Sequence, residues 1–168
     1  MKLLASLSFA FSVAFSGCLL HAAPPTNAAP AAAAAPSGYD FGDFKSVTLT
    51  TKAWQALNAK DYDAVAAYTG KCIDTYKDTA LEQQGTLKAP ADKDSANTYW
   101  ALNDVGTCYF IAGKALDDKG DKKGAVAAYK FLVDKLTFAQ CWDPGGWFWA
   151  PADAAKKRLG ELQFDSAQ

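Results

Sequence analysis

Residues 141–149 read CWDPGGWFW, which puts three tryptophans, a phenylalanine, a cysteine and a Pro-Gly-Gly turn into nine positions. Neighbouring indoles make a platform that stacks sugar rings or grips an apolar peptide, and each indole N–H adds direction. Trp142, Trp147 and Trp149 are therefore candidate partner-binding residues. A structural expectation competes with that one. Asp143-Pro144-Gly145-Gly146 has proline second and glycine third, the order that closes a tight turn. The flanking aromatics then plug the end of a small core, and this is the more economical expectation, because large apolar clusters are more often core than surface.

The remaining reactive side chains are few. The chain has four cysteines, Cys18, Cys72, Cys108 and Cys141, and one histidine, His21, close to the N-terminus. C-x-x-C, C-x-x-C-H and H-E-x-x-H are missing from the sequence, so no metal, haem or other cofactor is expected. Nucleophile triads and most proton relays use histidine, which excludes serine- or cysteine-hydrolase chemistry from the globular part. Glycoside cleavage needs two carboxylates flanking the bond, one with a raised pKa. Asp143, Asp104 and Glu161 are the candidates, but their spacing is not diagnostic and no catalytic residue is assigned. Cys72, Cys108 and Cys141 are disulfide candidates in an oxidising compartment, with the pairing open.

That compartment follows from the N-terminus. MKLLASLSFAFSVAFSGC has one lysine, then an apolar run broken only by Ser and Gly, the layout of a secretory signal peptide. Cleavage after Ala22 or Ala23 makes residues 1–22 the signal. Alternatively, FSGC resembles a lipobox, so that the signal ends before Cys18 and the cysteine is lipidated. Residues 23–38 are rich in alanine and proline, uncharged, and too poor in large apolar groups to offset chain entropy. They read as a disordered linker leading to a domain over 39–168. The protein is expected to be exported, either periplasmic or an outer-membrane-anchored lipoprotein. With 17 Lys+Arg against 18 Asp+Glu and no long single-sign block, nucleic acid is excluded as a partner. A membrane is expected to be engaged only through an N-terminal lipid.

The aromatic stretch has to be positioned by helices. DAVAAY at 63–68 recurs as GAVAAY at 124–129, an offset of 61 residues. Helices are expected over about Ser46–Asn58, through DYDAVAAYTGKCIDTYK, over about Ala96–Asp117, and through KKGAVAAYKFLVDKL. TALEQQGTLKAPADKDSAN between the copies reads as a short helix and a loop. Pro151 and Asp153 open a terminal helix that packs Ala155, Leu159 and Leu162.

In LNDVGTCYF the trio Val105, Gly106 and Tyr109 has the leucine–glycine–tyrosine spacing of a tetratricopeptide first helix, and Gly120, Ala125 and Tyr129 follow. The chain resembles a divergent tetratricopeptide-repeat protein over about 40 residues here. Gly106 and Ala125 are the small residues expected where the two helices cross. Gly113 stands at the family's turn position, yet the turn signal comes seven residues later at Gly120, two helical turns on, so the apolar face keeps its phase. The fold expected is all-α: two TPR-like antiparallel helical hairpins plus a C-terminal capping helix. The resemblance implies a non-catalytic scaffold that binds a protein or peptide partner in the bacterial envelope. Asn103 and Asp104, polar residues on an otherwise apolar first helix, are its contact candidates. The alternative is a glycan-binding or β-glucanase-like protein that uses the Trp142–Trp149 loop.

Overall fold

The computed structural model describes residues 38–166; the expected signal sequence with Cys18, and the Ala/Pro-rich segment up to residue 37, lie outside the described residues. The chain order is α1 (Ser46–Asn58), α2 (Tyr62–Thr86), a 3-10 turn (Ala96–Tyr99), α3 (Trp100–Asp118), α4 (Lys122–Lys135), β1 (Cys141–Asp143), β2 (Trp147–Trp149) and α5 (Pro151–Ser166). The architecture is predominantly helical, with one antiparallel β-hairpin inserted between α4 and α5.

α3 is the central helix. Ala101, Leu102, Val105 to Tyr109, Ile111, Gly113 and Ala115 are all buried, so it is covered nearly all round. α1, α2, α4 and α5 pack against it, α2 most extensively. Leu49, Leu102, Val105, Leu132 and Leu136 are fully buried between these helices.

The α1–α2 and α3–α4 turns are built alike. Asp61 N–H donates to the Ala56 carbonyl at 2.9 Å, and Asp121 N–H donates to Leu116 at 2.9 Å. Each aspartate then caps the next helix, Asp61 accepting from Ala64 N–H at 3.0 Å and Asp121 from Gly124 N–H at 2.9 Å. The residue before each cap is left-handed, Lys60 at φ 57° and Gly120 at φ 85°. Asp61→Ala and Asp121→Ala should each lower stability by about 1 kcal/mol in urea titrations, the usual worth of an N-cap. An unchanged midpoint for both would mean that the caps do not fix these turns.

Three expectations change in detail. Residues 79–86 are not a separate short helix but continue α2 to Thr86. Ala80 is fully buried there, and the strong helix formers that follow carry two useful amides. Gln83 Oε1 accepts from Leu102 N–H and Gln84 Oε1 from Phe138 N–H, both at 2.9 Å, tying the end of α2 to α3 and to the segment after α4. Second, Gly106 does not accommodate Ala125. A Cβ there would lie 2.4 Å from the Ala139 Cβ, whereas the close approach of α4 to α3 falls at Gly113, under the Tyr129 ring. Third, the repeat is out of step with its own sequence. The capped turns match at an offset of 60, so Val65, Thr69 and Cys72 occupy the places of Ala125, Tyr129 and Leu132, all six buried. DAVAAY and GAVAAY match at 61, which leaves Tyr68 only half-buried.

Candidate functional site

The turn at Asp143–Gly146 forms as the sequence predicts. Gly146 N–H donates to the Asp143 carbonyl at 2.9 Å, Gly145 N–H donates to Asp143 Oδ1 at 2.7 Å, and Gly146 has φ 103°. A three-residue loop with a left-handed last residue suits a hairpin rather than a helix end. The two flanks therefore pair as strands, with Cys141 opposite Trp149, Trp142 opposite Phe148 and Asp143 opposite Trp147.

Pairing sorts the side chains, because alternate residues point to opposite faces of a strand. Trp142 and Phe148 share one face, their rings 5.0 Å apart edge to face. Asp143, Trp147 and Trp149 share the other and turn toward the helices. The expected plug is not what this produces. Trp142 is 49% and Trp147 56% exposed, and Trp149 is half-buried. Exposed rings therefore occur on both faces of the hairpin, Trp142 on one and Trp147 on the other.

The inward face roofs a groove of about 480 Å³ against α1, α3 and α5. Its wall is a run of rings: Trp54 of α1 lies 6.2 Å from Phe110 of α3, and Phe110 meets Trp149 at 5.2 Å, edge to face. Tyr129 lies beyond Phe110, at 6.1 Å. The Trp147 ring folds back over the turn, where a Cβ on Gly145 would sit 2.1 Å from Trp147 Cζ3. Glycine at 145 is thus what allows that ring its place.

Charged residues share the lining: Lys114, Asp117, Asp143 and Arg158. Arg158 donates to both carboxylate oxygens of Asp117, to Glu161 as well, and Lys122 also bonds Asp117. The Arg158 guanidinium holds the Asp117 carboxyl down to about 2. Folded Asp117 thus releases its proton more readily than in the unfolded chain, where about 3.8 applies. The pair stabilises the fold above that value and the contribution is lost as pH falls toward 2. Wild-type melting temperature should drop more than that of Asp117→Asn between pH 5 and pH 2 (roughly the window of the shift). Parallel curves for the two proteins would remove this role.

Asn103 and Asp104 stand apart from the groove. The Asn103 side chain donates to the Ala96 carbonyl and accepts from Gln140 N–H, both at 2.8 Å, so it pins the 3-10 turn and the hairpin's approach to α3. Asp104 accepts from Ser46 Oγ at 2.5 Å, joining α3 to the start of α1, and burial raises its pKa. Cys72 and Cys108 are fully buried, and Thr50 Oγ1 lies 3.3 Å from the Cys108 sulfur. Cys141 is half-buried on the hairpin and contacts the Trp142 carbonyl at 3.8 Å. All three thiols are free. Burial raises the pKa of Cys108 and of Cys141, which disfavours the reactive thiolate.

The sequence reading missed Trp54, Phe110 and Arg158 as groove residues. Trp54 and Phe110 lie on α1 and α3, and nothing local marks a ring that borders both core and solvent. Among the described residues no three His, Cys, Asp or Glu side chains group as a metal site, and no helix is long and apolar enough to cross a membrane. Comparison with protein-family models, with curated proteins and with solved structures finds no match to this chain. The class that fold and site define is thus a helical-hairpin domain carrying an open aromatic groove.

Proposed function

We propose that this protein is an exported, non-catalytic scaffold of tetratricopeptide-like build that binds a peptide segment of a protein partner in the bacterial envelope. The observation that carries the reading is the groove: Trp54, Phe110, Trp147 and Trp149 line a solvent-open cleft together with charged residues of both signs. Aromatic walls give a peptide apolar contact, and their N–H groups with the Lys114 and Asp143 side chains give it register. α1 and α3, the first helices of the two hairpins, supply walls along with α5.

A photo-crosslinking residue in place of Lys114 of the full chain tests this in envelope extract. The expected result is a discrete crosslinked protein that is lost when Trp147 is also replaced by alanine. Crosslinks that are equally strong with and without Trp147 would overturn the reading.

Exposure of Trp147 supports a second reading, that the groove holds a glycan. In that case a soluble β-glucan changes tryptophan emission saturably and competes with the crosslink. Binding fits the site better than hydrolysis. Asp117 is held ionised by Arg158, Glu161 is paired with Arg158, and the one aspartate among the described residues whose pKa burial raises, Asp104, lies outside the groove. Glycoside cleavage requires such an acid beside the bond.

A further inference from the structure

The chain carries a segment whose chemistry fits its own aromatic groove. Residues 24–38 read PPTNAAPAAAAAPSG, without a charge or a large apolar side chain. Pro24, Pro30 and Pro36 recur every six residues. A polyproline II helix has three residues per turn, so that spacing sets all three rings on one edge. Proline-rich chains in this form dock on aromatic-lined grooves, because they have little conformational freedom left to lose. Both expected signal cleavage sites precede Pro24, so the segment stays on the mature chain.

The groove suits an uncharged chain. Trp54, Phe110 and Trp149 make a continuous wall, with rings 6.2 and 5.2 Å apart, and Trp147 stands more than half exposed beside it. The charges in the lining already have partners inside the fold. Asp117 holds Arg158 and Lys122, Lys114 pairs with Asp118 at 3.8 Å, and Asp143 Oδ1 accepts from Gly145 N–H at 2.7 Å. A segment of proline and alanine covers the rings and leaves each of these pairs intact.

The tether is long enough. Lys52 pairs with Asp40 at 3.1 Å, which lays the start of the described chain along one flank of α1. Trp54 lines the groove two residues further on, about 200° around the helix. A helix with its side chains is about 10–12 Å across. The stretch from Pro30 to Tyr39 spans about 28 Å in the polyproline II form, enough to round α1. A short tether holds its ligand at an effective concentration in the millimolar range, which populates even a weak contact. We propose that residues 24–36 dock in the aromatic groove as a polyproline II helix centred on Pro30, and compete there with the partner, a proposal that rests on the groove being a peptide site.

The test compares indole N–H signals in NMR spectra of the full chain and of a variant combining Pro24→Gly, Pro25→Gly, Pro30→Gly and Pro36→Gly. The Trp54, Trp147 and Trp149 signals should differ between the two proteins at every protein concentration. Those of Trp100 and Trp142, which lie off the groove, should coincide. A synthetic peptide of residues 24–38 should return the groove signals of the glycine variant to their wild-type positions saturably. It should bind the wild-type chain roughly threefold or more weaker, because the tethered copy holds the site. The proposal is overturned if the groove signals coincide in the two proteins, or if the peptide moves Trp100 and Trp142 as strongly. It is equally overturned if the differences grow with protein concentration, which would place the segment on a second copy. The Lys114 crosslink scores the external partner separately: its loss with these shifts intact removes the partner alone, and its persistence without them removes the docking alone.

Discussion

Gly106→Ala should lower stability by roughly 2 kcal/mol, and adding Ala139→Gly should recover most of the loss. Helix propensity alone predicts the opposite sign, since alanine is favoured over glycine in a helix interior by about 1 kcal/mol. Packing decides the matter. A Cβ at 106 would lie 2.4 Å from the Ala139 Cβ, and neither atom can rotate away because each is fixed to its backbone. Carbon atoms in contact sit about 3.5–4.0 Å apart, so α3 and the segment after α4 must separate. That segment leads directly into β1, and Gln140 N–H within it is held by Asn103. The substitution should therefore displace the hairpin as well as lower the melting temperature, by roughly 5–10 °C for a domain of this size. Calorimetry on the two single variants and the double variant gives the answer. An additive cycle would show that the two positions do not touch.

The second large effect concerns binding. Trp147→Ala should leave stability within about 0.5 kcal/mol, because the ring is more than half exposed and an exposed position contributes little. It should nevertheless weaken the envelope partner identified by the Lys114 crosslink by roughly 30-fold, the loss of about 2 kcal/mol typical of an interfacial tryptophan. Trp149→Ala should show both losses together. Its ring is half-buried and meets Phe110 edge to face at 5.2 Å, so truncation opens the groove wall as well as removing a contact. Titration calorimetry alongside thermal melts separates the two variants. If Trp147→Ala binds as tightly as wild type while Trp149→Ala does not, the damage is structural and the exposed ring is no contact.

The helices were largely legible in the residues. Ser46–Asn58 for α1, a start near Ala96 for the third helical stretch and Pro151 for α5 could all be read from apolar spacing and punctuation. Asp61 and Asp121 as caps and Gly120 as a left-handed turn residue are local chemistry, decided within four residues of chain. The candidate site was only half legible. In CWDPGGWFW the turn residues could be read locally, and the turn forms at Asp143–Gly146 as expected. Whether its rings were core or surface depended on what lay opposite them, which no local pattern records.

Tertiary structure made the remaining decisions. It set the repeat offset at 60 rather than the 61 of the matching letters, because the capped turns fix where each second helix starts and burial then selects Thr69 over Tyr68. It replaced Ala125 with Ala139 as the neighbour of Gly106 and set the Asn103 side chain between the Ala96 carbonyl and Gln140 N–H. It also brought Trp54 and Phe110, 56 positions apart in the chain, into one wall with Trp149. The sequence by itself determined the elements, because helix, cap and turn depend on neighbours along the chain. The groove was decided only when α1, α3, α4, α5 and the hairpin packed together, because a surface shared by five elements has no representation in any one of them.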